Sequence, residues 1–229
     1  MVKDTRDVVI ISLGGSLIVP EDIDIEFIKG FKSLIISQLK KHRFILITGG
    51  GKTCRKYLNA AKEIKEITSD DGDWIGIFTT RLNAQFMKTI FKEYAHPNII
   101  SNPTQKIDFK EDVLFAAGWI PGCSTDNDAI LLAKNLNVKT VINLSNIDYA
   151  YDKDPKKYPD AKRIEETTWK EFRKIVGNKW DPGLNAPFDP IASKQAEQLG
   201  IKVIIMNGKN LKNLENCLDK KKFIGTIIR

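Results

Sequence analysis

The feature that most constrains the fold is a repeated order of segments, in which a short apolar run ends at a glycine-rich turn and a helical stretch follows. The clearest case is ILITGGGKTCRKYLNAAKEI at residues 45–64, where the apolar run stops at Gly49, Gly50 and Gly51. Short runs without polar positions are typical of strands buried on both faces of a parallel sheet. Because such runs alternate with helical patterns along the whole chain, the sequence predicts a layered α/β fold with a mostly parallel sheet.

The predicted elements follow one another without a linker, and residues 1–229 are therefore interpreted as a single domain. The predicted strands span residues 8–13, 43–48, 113–117, 138–144, 201–206 and 223–228. The predicted helices span residues 24–41, 52–65, 74–94, 127–135, 165–176, 190–200 and 211–218. In sheets of this kind ligands bind beyond the carboxyl ends of the strands, so the residues that follow each strand are the candidates for a site.

Composition excludes several classes of protein. No apolar run approaches the ~20 residues of a membrane span, and the first apolar run ends too early, at Gly14, for a signal peptide. We therefore expect a cytoplasmic protein without a membrane partner. Three scattered cysteines and two isolated histidines form no metal-ligand spacing. The formal net charge of +7 favours anionic partners, but the lysines are spread along the chain without a nucleic-acid-binding motif, so we expect no nucleic acid partner.

The glycine-rich turns after the first two strands, GGSL at 14–17 and GGGKTCRKY at 49–57, predict an anion site. Glycine lets the backbone approach a ligand closely, and the free amides and positive dipole at a helix start attract phosphate. Lys52 and Arg55 lie in the first turn of the following helix, where cations are unfavourable unless a bound anion offsets them. The alternative is that these glycines only form tight turns.

Two later turns carry polar groups, AGWIPGCSTDNDA at 117–129 and SNIDYAYDKDP at 145–155. In the first, Ser124 or Thr125 is a candidate helix cap, and acidic residues follow in the first helical turn. In the second, Tyr151 and Asp154 come after a strand, and the proline that follows suits a plain turn. Contact with a ligand and purely local structure are both open for the first turn, whereas the second turn, taken by itself, favours purely local structure.

Taken in order, six stretches resemble the amino acid kinase superfamily and, within it, the archaeal-type uridylate (UMP) kinases. They are LGGSLIVPEDIDIEFI, GGGKTCRKYL, DWIGIFTTRLNAQ, PGCSTDNDAILLA, SNIDYAYDKDPKKYPDAKRI and FDPIASKQAEQLGIKVIIMNG. The resemblance implies a three-layer αβα sandwich, the amino acid kinase fold, whose mainly parallel central sheet has about eight strands. It also implies a hexamer that transfers the γ-phosphoryl group of MgATP to UMP. The N-terminal part would bind the acceptor and the C-terminal part ATP.

The same resemblance assigns residues to the two substrates. Asp126 would order the cationic groups around the transferring phosphoryl group, with Lys52 and Arg55 as the candidate charge stabilisers. Arg81 and Asn83 match the helix that faces UMP. The residues implied for ATP are Gly15, Ser16, Gly51, Arg55, Ser145, Tyr151 and Asp154, and those implied for UMP are Gly50, Asp73, Trp119, Ile120, Pro121, Gly122, Cys123, Ser124 and Thr125. No metal-binding side chain is implied, and Mg²⁺ is expected as part of MgATP.

Three positions depart from the family pattern. Ser12 stands where many members carry a lysine two residues before the first glycine pair, Trp119 lies in the uridine segment, and Tyr149 stands where a glycine is common. These departures leave alternatives open. They are a sister kinase of the same fold with another acceptor, a non-catalytic nucleotide- or oxyanion-binding member of the storage type, and RNA binding by the basic surface.

Overall fold

The computed structural model describes residues 5–155, 157–177 and 186–229. Its strands are β1 (Asp7–Leu13), β2 (His42–Thr48), β3 (Val113–Ala116), β4 (Thr140–Ser145), β5 (Ala150–Tyr151), β6 (Arg163–Ile164), β7 (Glu166–Thr167), β8 (Lys202–Asn207) and β9 (Thr226–Ile228). Its helices are α1 (Gly15–Ile18), α2 (Ile25–Gln38), α3 (Gly51–Ile64), α4 (Ser69–Ile90), α5 (Thr125–Asn135), α6 (Trp169–Val176), α7 (Pro190–Leu199) and α8 (Leu211–Leu218).

Seven strands form the central sheet, in the order β3–β2–β1–β4–β8–β9–β7. The neighbours from β3 to β8 pair in parallel, and β9 runs antiparallel to β8. The prediction of a mainly parallel sheet is confirmed, with seven strands in the described part of the chain where about eight were expected. Because β1, β2, β3 and β4 are parallel, their carboxyl ends share one edge, and the loops that follow them meet there.

Helices cover both faces of the sheet, as the three-layer prediction requires. Successive side chains of a strand point to opposite faces. Ile10 therefore packs in the cluster that contains Phe172 of α6, whereas Ile11 packs in the cluster that contains Phe31 of α2. The same alternation separates Ile45 from its neighbours in β2. Both faces of the central strands are thus buried, which is why their sequences are continuously apolar.

The shortest elements were not predicted. The strands β5, β6 and β7 have two residues each, and a run of two residues carries no period from which a strand could be recognised. The prediction of helix from residue 165 is wrong at its start, because β7 occupies Glu166–Thr167 and α6 begins at Trp169. The amide of Glu171 donates to the side chain of Thr168, which caps that helix.

Helix α4 begins five residues before the predicted start at residue 74. Thr68 and Asp71 form a reciprocal capping box, in which the Thr68 side chain accepts from the Asp71 amide and the Asp71 side chain accepts from the Thr68 amide. The preceding helix, α3, has no fully buried residue and packs mainly against α4.

Across the three described ranges of the chain, no helix is both long and apolar enough to cross a membrane.

Candidate functional site

The two glycine loops predicted as an anion site lie against each other at the carboxyl edge of the sheet. A Cβ atom added to Gly15 would lie 2.1 Å from the Gly51 nitrogen, and one added to Gly51 would lie 2.4 Å from the Gly15 oxygen. Gly51 also has a φ of +65°, a conformation that residues with a side chain rarely adopt. The glycines are therefore required by the mutual approach of two backbones, a reason that the sequence alone did not reveal.

Hydrogen bonds from neighbouring elements hold the second glycine loop in place. The Gly49 amide donates to the Leu13 carbonyl at 2.9 Å, which ties the end of β2 to the end of β1. The buried side chain of Asn83, on α4, donates to the Gly49 carbonyl at 2.7 Å and to the Gly50 carbonyl at 3.3 Å. With these carbonyls engaged by Asn83, the loop is fixed at the N-terminus of α3, where amides and helix dipole favour an anion.

A cavity of about 940 Å³ opens between α3 and α4 beside this loop. Seven of the residues implied for substrates or catalysis line it, namely Gly50, Gly51, Arg55, Asp73, Cys123, Ser124 and Thr125. The other lining residues are Cys54, Leu58, Asn59, Lys62, Ile67, Thr68, Ser69, Gly72, Gly76, Ile77, Thr80 and Gly118. Most of these recur every three or four residues along α3 and α4, so the helical period could have found them once Gly51 and Asp73 were assigned.

The remaining implied residues do not line this cavity. They are Gly15, Ser16, Lys52, Trp119, Ile120, Pro121, Gly122, Asp126, Ser145, Tyr151 and Asp154. Trp119 is half-buried and is not among the residues that line the cavity. Tyr149 packs beneath the guanidinium of Arg163, with 5.2 Å between the charged carbon and the ring centre.

Three of the residues implied for ATP, Ser145, Tyr151 and Asp154, lie at the end of β4 or in the hairpin that follows it. Ser145 ends that strand, and its carbonyl accepts from the Gly208 amide at 2.8 Å. Tyr151 lies in β5, opposite Arg163 of β6. The Asp154 carbonyl accepts from the Tyr158 amide at 2.9 Å, which forms the turn of this hairpin. These residues therefore stand apart from the cavity between α3 and α4.

The two candidate charge stabilisers are in different situations. Arg55 is exposed and lines the cavity. The Lys52 ammonium instead donates to the Glu21 carboxylate at 2.7 Å, and this bond is the main reason that the pKa of Glu21 lies below its usual value. Lys52 is thus held by Glu21, and of the two candidates only Arg55 lines the cavity.

The Asp126 carboxylate accepts from three neutral donors, and one of them is Ser12, which stands where many family members carry a lysine. Its carboxylate accepts from the Ser12 hydroxyl at 3.2 Å, the Asn143 side chain at 3.0 Å and the Asp189 amide at 3.3 Å. Burial of the carboxyl group, with a further contribution from the nearby charge of Asp189, raises the pKa of Asp126 to about 7. Although the residue as a whole is partly accessible, its carboxyl group is therefore easier to protonate than a free one.

The segment between β3 and α5 is held by charged side chains. The Arg81 guanidinium donates to the carbonyls of Gly118, at 3.2 Å, and Trp119, at 3.1 Å. The Gly122 amide donates to one Asp73 oxygen at 2.8 Å. Arg81 therefore supports the backbone of this segment, and Asp73 keeps one carboxylate oxygen for a ligand in the cavity that it lines.

These features define a class of protein. A parallel sheet whose carboxyl edge carries two abutting glycine loops, a helix N-terminus and an open polar cavity belongs to an α/β protein that binds phosphorylated ligands. The model of the amino acid kinase family matches residues 7–207. The chain belongs to the amino acid kinase family.

Curated relatives and a solved structure match almost the whole chain. The uridylate kinase of Methanospirillum hungatei is 34% identical over 225 residues, which is 96% of this chain and 94% of that protein. The uridylate kinase of Thermococcus kodakarensis is 33% identical over 224 residues, with 96% and 98% coverage. The crystal structure of uridylate kinase from Archaeoglobus fulgidus matches with a TM-score of 0.83 and 28% identity, covering 98% of this chain and 100% of that one.

Proposed function

We propose that this chain transfers the γ-phosphoryl group of ATP to UMP, giving UDP and ADP. The observation that carries the proposal is the cavity beside the second glycine loop, which combines a phosphate-type helix N-terminus, the exposed cation Arg55 and the carboxylate Asp73. Its volume, about 940 Å³, lies within the range of small-ligand pockets. Full-length similarity to proteins named uridylate kinase supports UMP as the acceptor.

In the proposed reaction a phosphate oxygen of UMP attacks the γ-phosphorus of ATP, and the bond between that phosphorus and the oxygen bridging to the β-phosphate breaks. Such a transfer requires in-line positioning and charge neutralisation more than covalent help from the protein. Gly50 and the start of α3 would hold the UMP phosphate, and Asp73 would bind the ribose hydroxyls. The segment from Trp119 to Thr125 would surround the uracil.

The ATP side of the proposed site lies across the glycine loops. Gly15 and Ser16 would contact the ATP phosphates, with Gly51 and Arg55 reaching toward them, and Ser145, Tyr151 and Asp154 would line the adenine nucleotide site. By resemblance, the N-terminal part of the chain would bind the acceptor, and the C-terminal part, from Ser145 onward, would bind the adenine nucleotide. Lys52 could contribute only after leaving Glu21, so Arg55 is the favoured charge stabiliser.

We propose that Mg²⁺ enters as part of MgATP. In residues 5–155, 157–177 and 186–229, no group of three or more carboxylate, imidazole or thiol side chains is placed to hold an ion. Phosphate oxygens are ligands that Mg²⁺ prefers, and a magnesium site built on substrate phosphates needs few protein ligands. The bound ion would neutralise charge on the β- and γ-phosphates.

We also propose that the protein is a cytoplasmic homo-oligomer, a hexamer by resemblance, whose partners are nucleotides rather than nucleic acid or membrane. Helix α4 supports self-association because Trp74, Phe78 and Leu82 recur every four residues along one face and are 37%, 62% and 60% exposed. A contiguous exposed apolar stripe of this kind is typical of a protein–protein contact.

The test of the proposed activity is ADP release by the purified protein with MgATP and a panel of acceptors, UMP, CMP and dUMP, and with no acceptor. We expect turnover with UMP well above the rate without acceptor. Turnover with another acceptor alone would indicate a sister kinase. ATP binding without turnover of any acceptor would indicate a nucleotide-binding member that has lost its chemistry.

A further inference from the structure

One buried carboxylate holds both ends of the loop that connects β3 to α5. Asp128 lies in the first turns of α5 and is 1% exposed. One of its oxygens accepts from the Trp119 amide at 3.3 Å, and the other accepts from the Cys123 thiol at 3.1 Å. The side chain of Asn127 donates to the same sulfur at 3.1 Å. Asp128 therefore fixes the distance between the start and the end of a short loop.

Packing alone does not account for an acid at this position. Residues 129, 130, 132 and 133 of α5 are apolar and fully buried, and position 128 is as buried as they are. A buried carboxylate is unfavourable unless hydrogen bonds compensate for the lost hydration. An acid that only complemented the helix dipole would do so from an exposed position in the first turn. The hydrogen bonds to the loop are the compensation that Asp128 finds here.

A second side chain, Arg81 of α4, binds the same short stretch of backbone through its carbonyl groups. The Arg81 guanidinium binds the carbonyls of Gly118 and Trp119, while Asp128 binds the Trp119 amide. The positive charge of Arg81 also opposes the rise in the pKa of Asp128 that burial causes. The backbone at Trp119 is thus held between the Arg81 guanidinium on α4 and the buried Asp128 carboxyl group on α5.

The clamped loop borders the acceptor cavity. Gly118 at its start and Cys123 at its end both line the cavity, and between them the Gly122 amide is bound by Asp73. Moving either end of the loop would move the wall of the cavity and the carboxylate that faces the ligand. Displacements of about 1 Å in groups that orient a substrate are enough to change binding and rate strongly.

We propose that Asp128 is a positioning residue that sets the shape of the loop at residues 118–123 and thereby selects the base of the acceptor nucleotide. This inference rests on the proposed function, because it assigns the loop to the base of the acceptor. Asp128 touches neither substrate. It acts through the Trp119 amide and the Cys123 thiol.

The test compares Asp128→Asn with the wild-type protein in steady-state turnover of UMP and CMP. An asparagine keeps the size of the side chain but places an NH₂ group where one of the two acceptors was, so one end of the loop is released. We expect KM for UMP to rise about tenfold, because the loss of one buried hydrogen bond has an effect of about this size. The preference for UMP over CMP should fall, while KM for ATP stays the same. Asp108→Asn, the same change at an exposed position, should leave all of these values unchanged.

A role in folding alone would give a different pattern. The melting temperature of Asp128→Asn would then fall while KM for UMP and the ratio of UMP to CMP turnover stayed at the wild-type values, and this result would overturn the proposal. If Asp128→Asn does not fold, Cys123→Ala releases only the far end of the loop and should lower the same ratio; an unchanged ratio would overturn the proposal too. Failure of the wild-type protein to use any pyrimidine monophosphate would overturn the proposed function, and this inference with it.

Discussion

The change Asp126→Asn tests the electrostatics of the site through stability. Burial raises the pKa of Asp126 from 3.8 to about 7, and each unit corresponds to about 1.4 kcal/mol. Because the folded state holds its proton more tightly than the unfolded state, this group contributes no penalty below pH 3.8. It destabilises the fold progressively as pH rises to 7. The full penalty is at most about 4 kcal/mol, of which up to about 3 kcal/mol develops between pH 5 and pH 8.

Asparagine removes this pH-dependent penalty but places an amide NH₂ group beside one of the donors that Asp126 accepts from. The hydrogen bond lost in this way costs the variant about 1–3 kcal/mol of stability, and this cost does not depend on pH. The free energy of unfolding of the variant relative to wild type should therefore shift in the variant's favour by up to about 3 kcal/mol between pH 5 and pH 8. Partial accessibility of Asp126 makes about 2 kcal/mol a reasonable expectation.

The assay is urea unfolding of both proteins at pH 5 and pH 8, with the difference between them taken at each pH. Subtraction removes the titration of the other carboxylates, which both proteins share. Turnover of the variant at pH 8 should fall even where its stability exceeds that of wild type, because Asp126 belongs to the proposed catalytic group. A difference in unfolding free energy that is the same at both pH values would refute the raised pKa.

Three further changes test separate parts of the structure. Arg55→Ala should lower turnover about 100-fold and leave the melting temperature within about 1 °C, because the side chain is exposed. The control Lys56→Ala, at a residue outside the cavity lining, should retain activity. Equal losses of activity and stability in Arg55→Ala would contradict the assignment. Gly15→Ala should destabilise the protein by about 3 kcal/mol or more in urea unfolding, because the new Cβ would collide with the Gly51 backbone. The control Gly76→Ala would place a Cβ 3.8 Å from its nearest neighbour and should be neutral or stabilising by up to about 1 kcal/mol. Similar losses of stability in both variants would argue against close packing of the two loops. Leu82→Glu should reduce the particle mass measured by light scattering without unfolding the chain, and an unchanged mass would exclude the α4 stripe as a contact.

The long elements could be predicted because their patterns are set by burial. The strands β1 and β2 are apolar throughout since both of their faces are covered, and α8 was predicted at its observed bounds, Leu211–Leu218. The hairpin of β5 and β6 could not be predicted, because two residues carry no period. The start of α4 could have been predicted at its observed position from the threonine and aspartate of its capping box.

Part of the cavity lining could be predicted from the sequence. The order of motifs brought Gly50, Arg55 and Asp73 together, and they line one cavity. The engagement of Lys52 with Glu21 depends on a contact between segments 31 residues apart, and no local pattern indicates it. The surroundings of Asp126 likewise depend on three separate elements, so its raised pKa could be derived only from the fold.

Transfer of the terminal phosphate of ATP to UMP can be followed directly with a labelled nucleotide. The purified protein is incubated with MgATP labelled in the γ-phosphate and with UMP, and the products are separated by ion-exchange chromatography. We expect the label to appear in UDP in an amount equal to the ADP formed, and we expect no transfer of label when UMP is omitted. Label that remains in ATP, or that appears only as inorganic phosphate, would contradict the account.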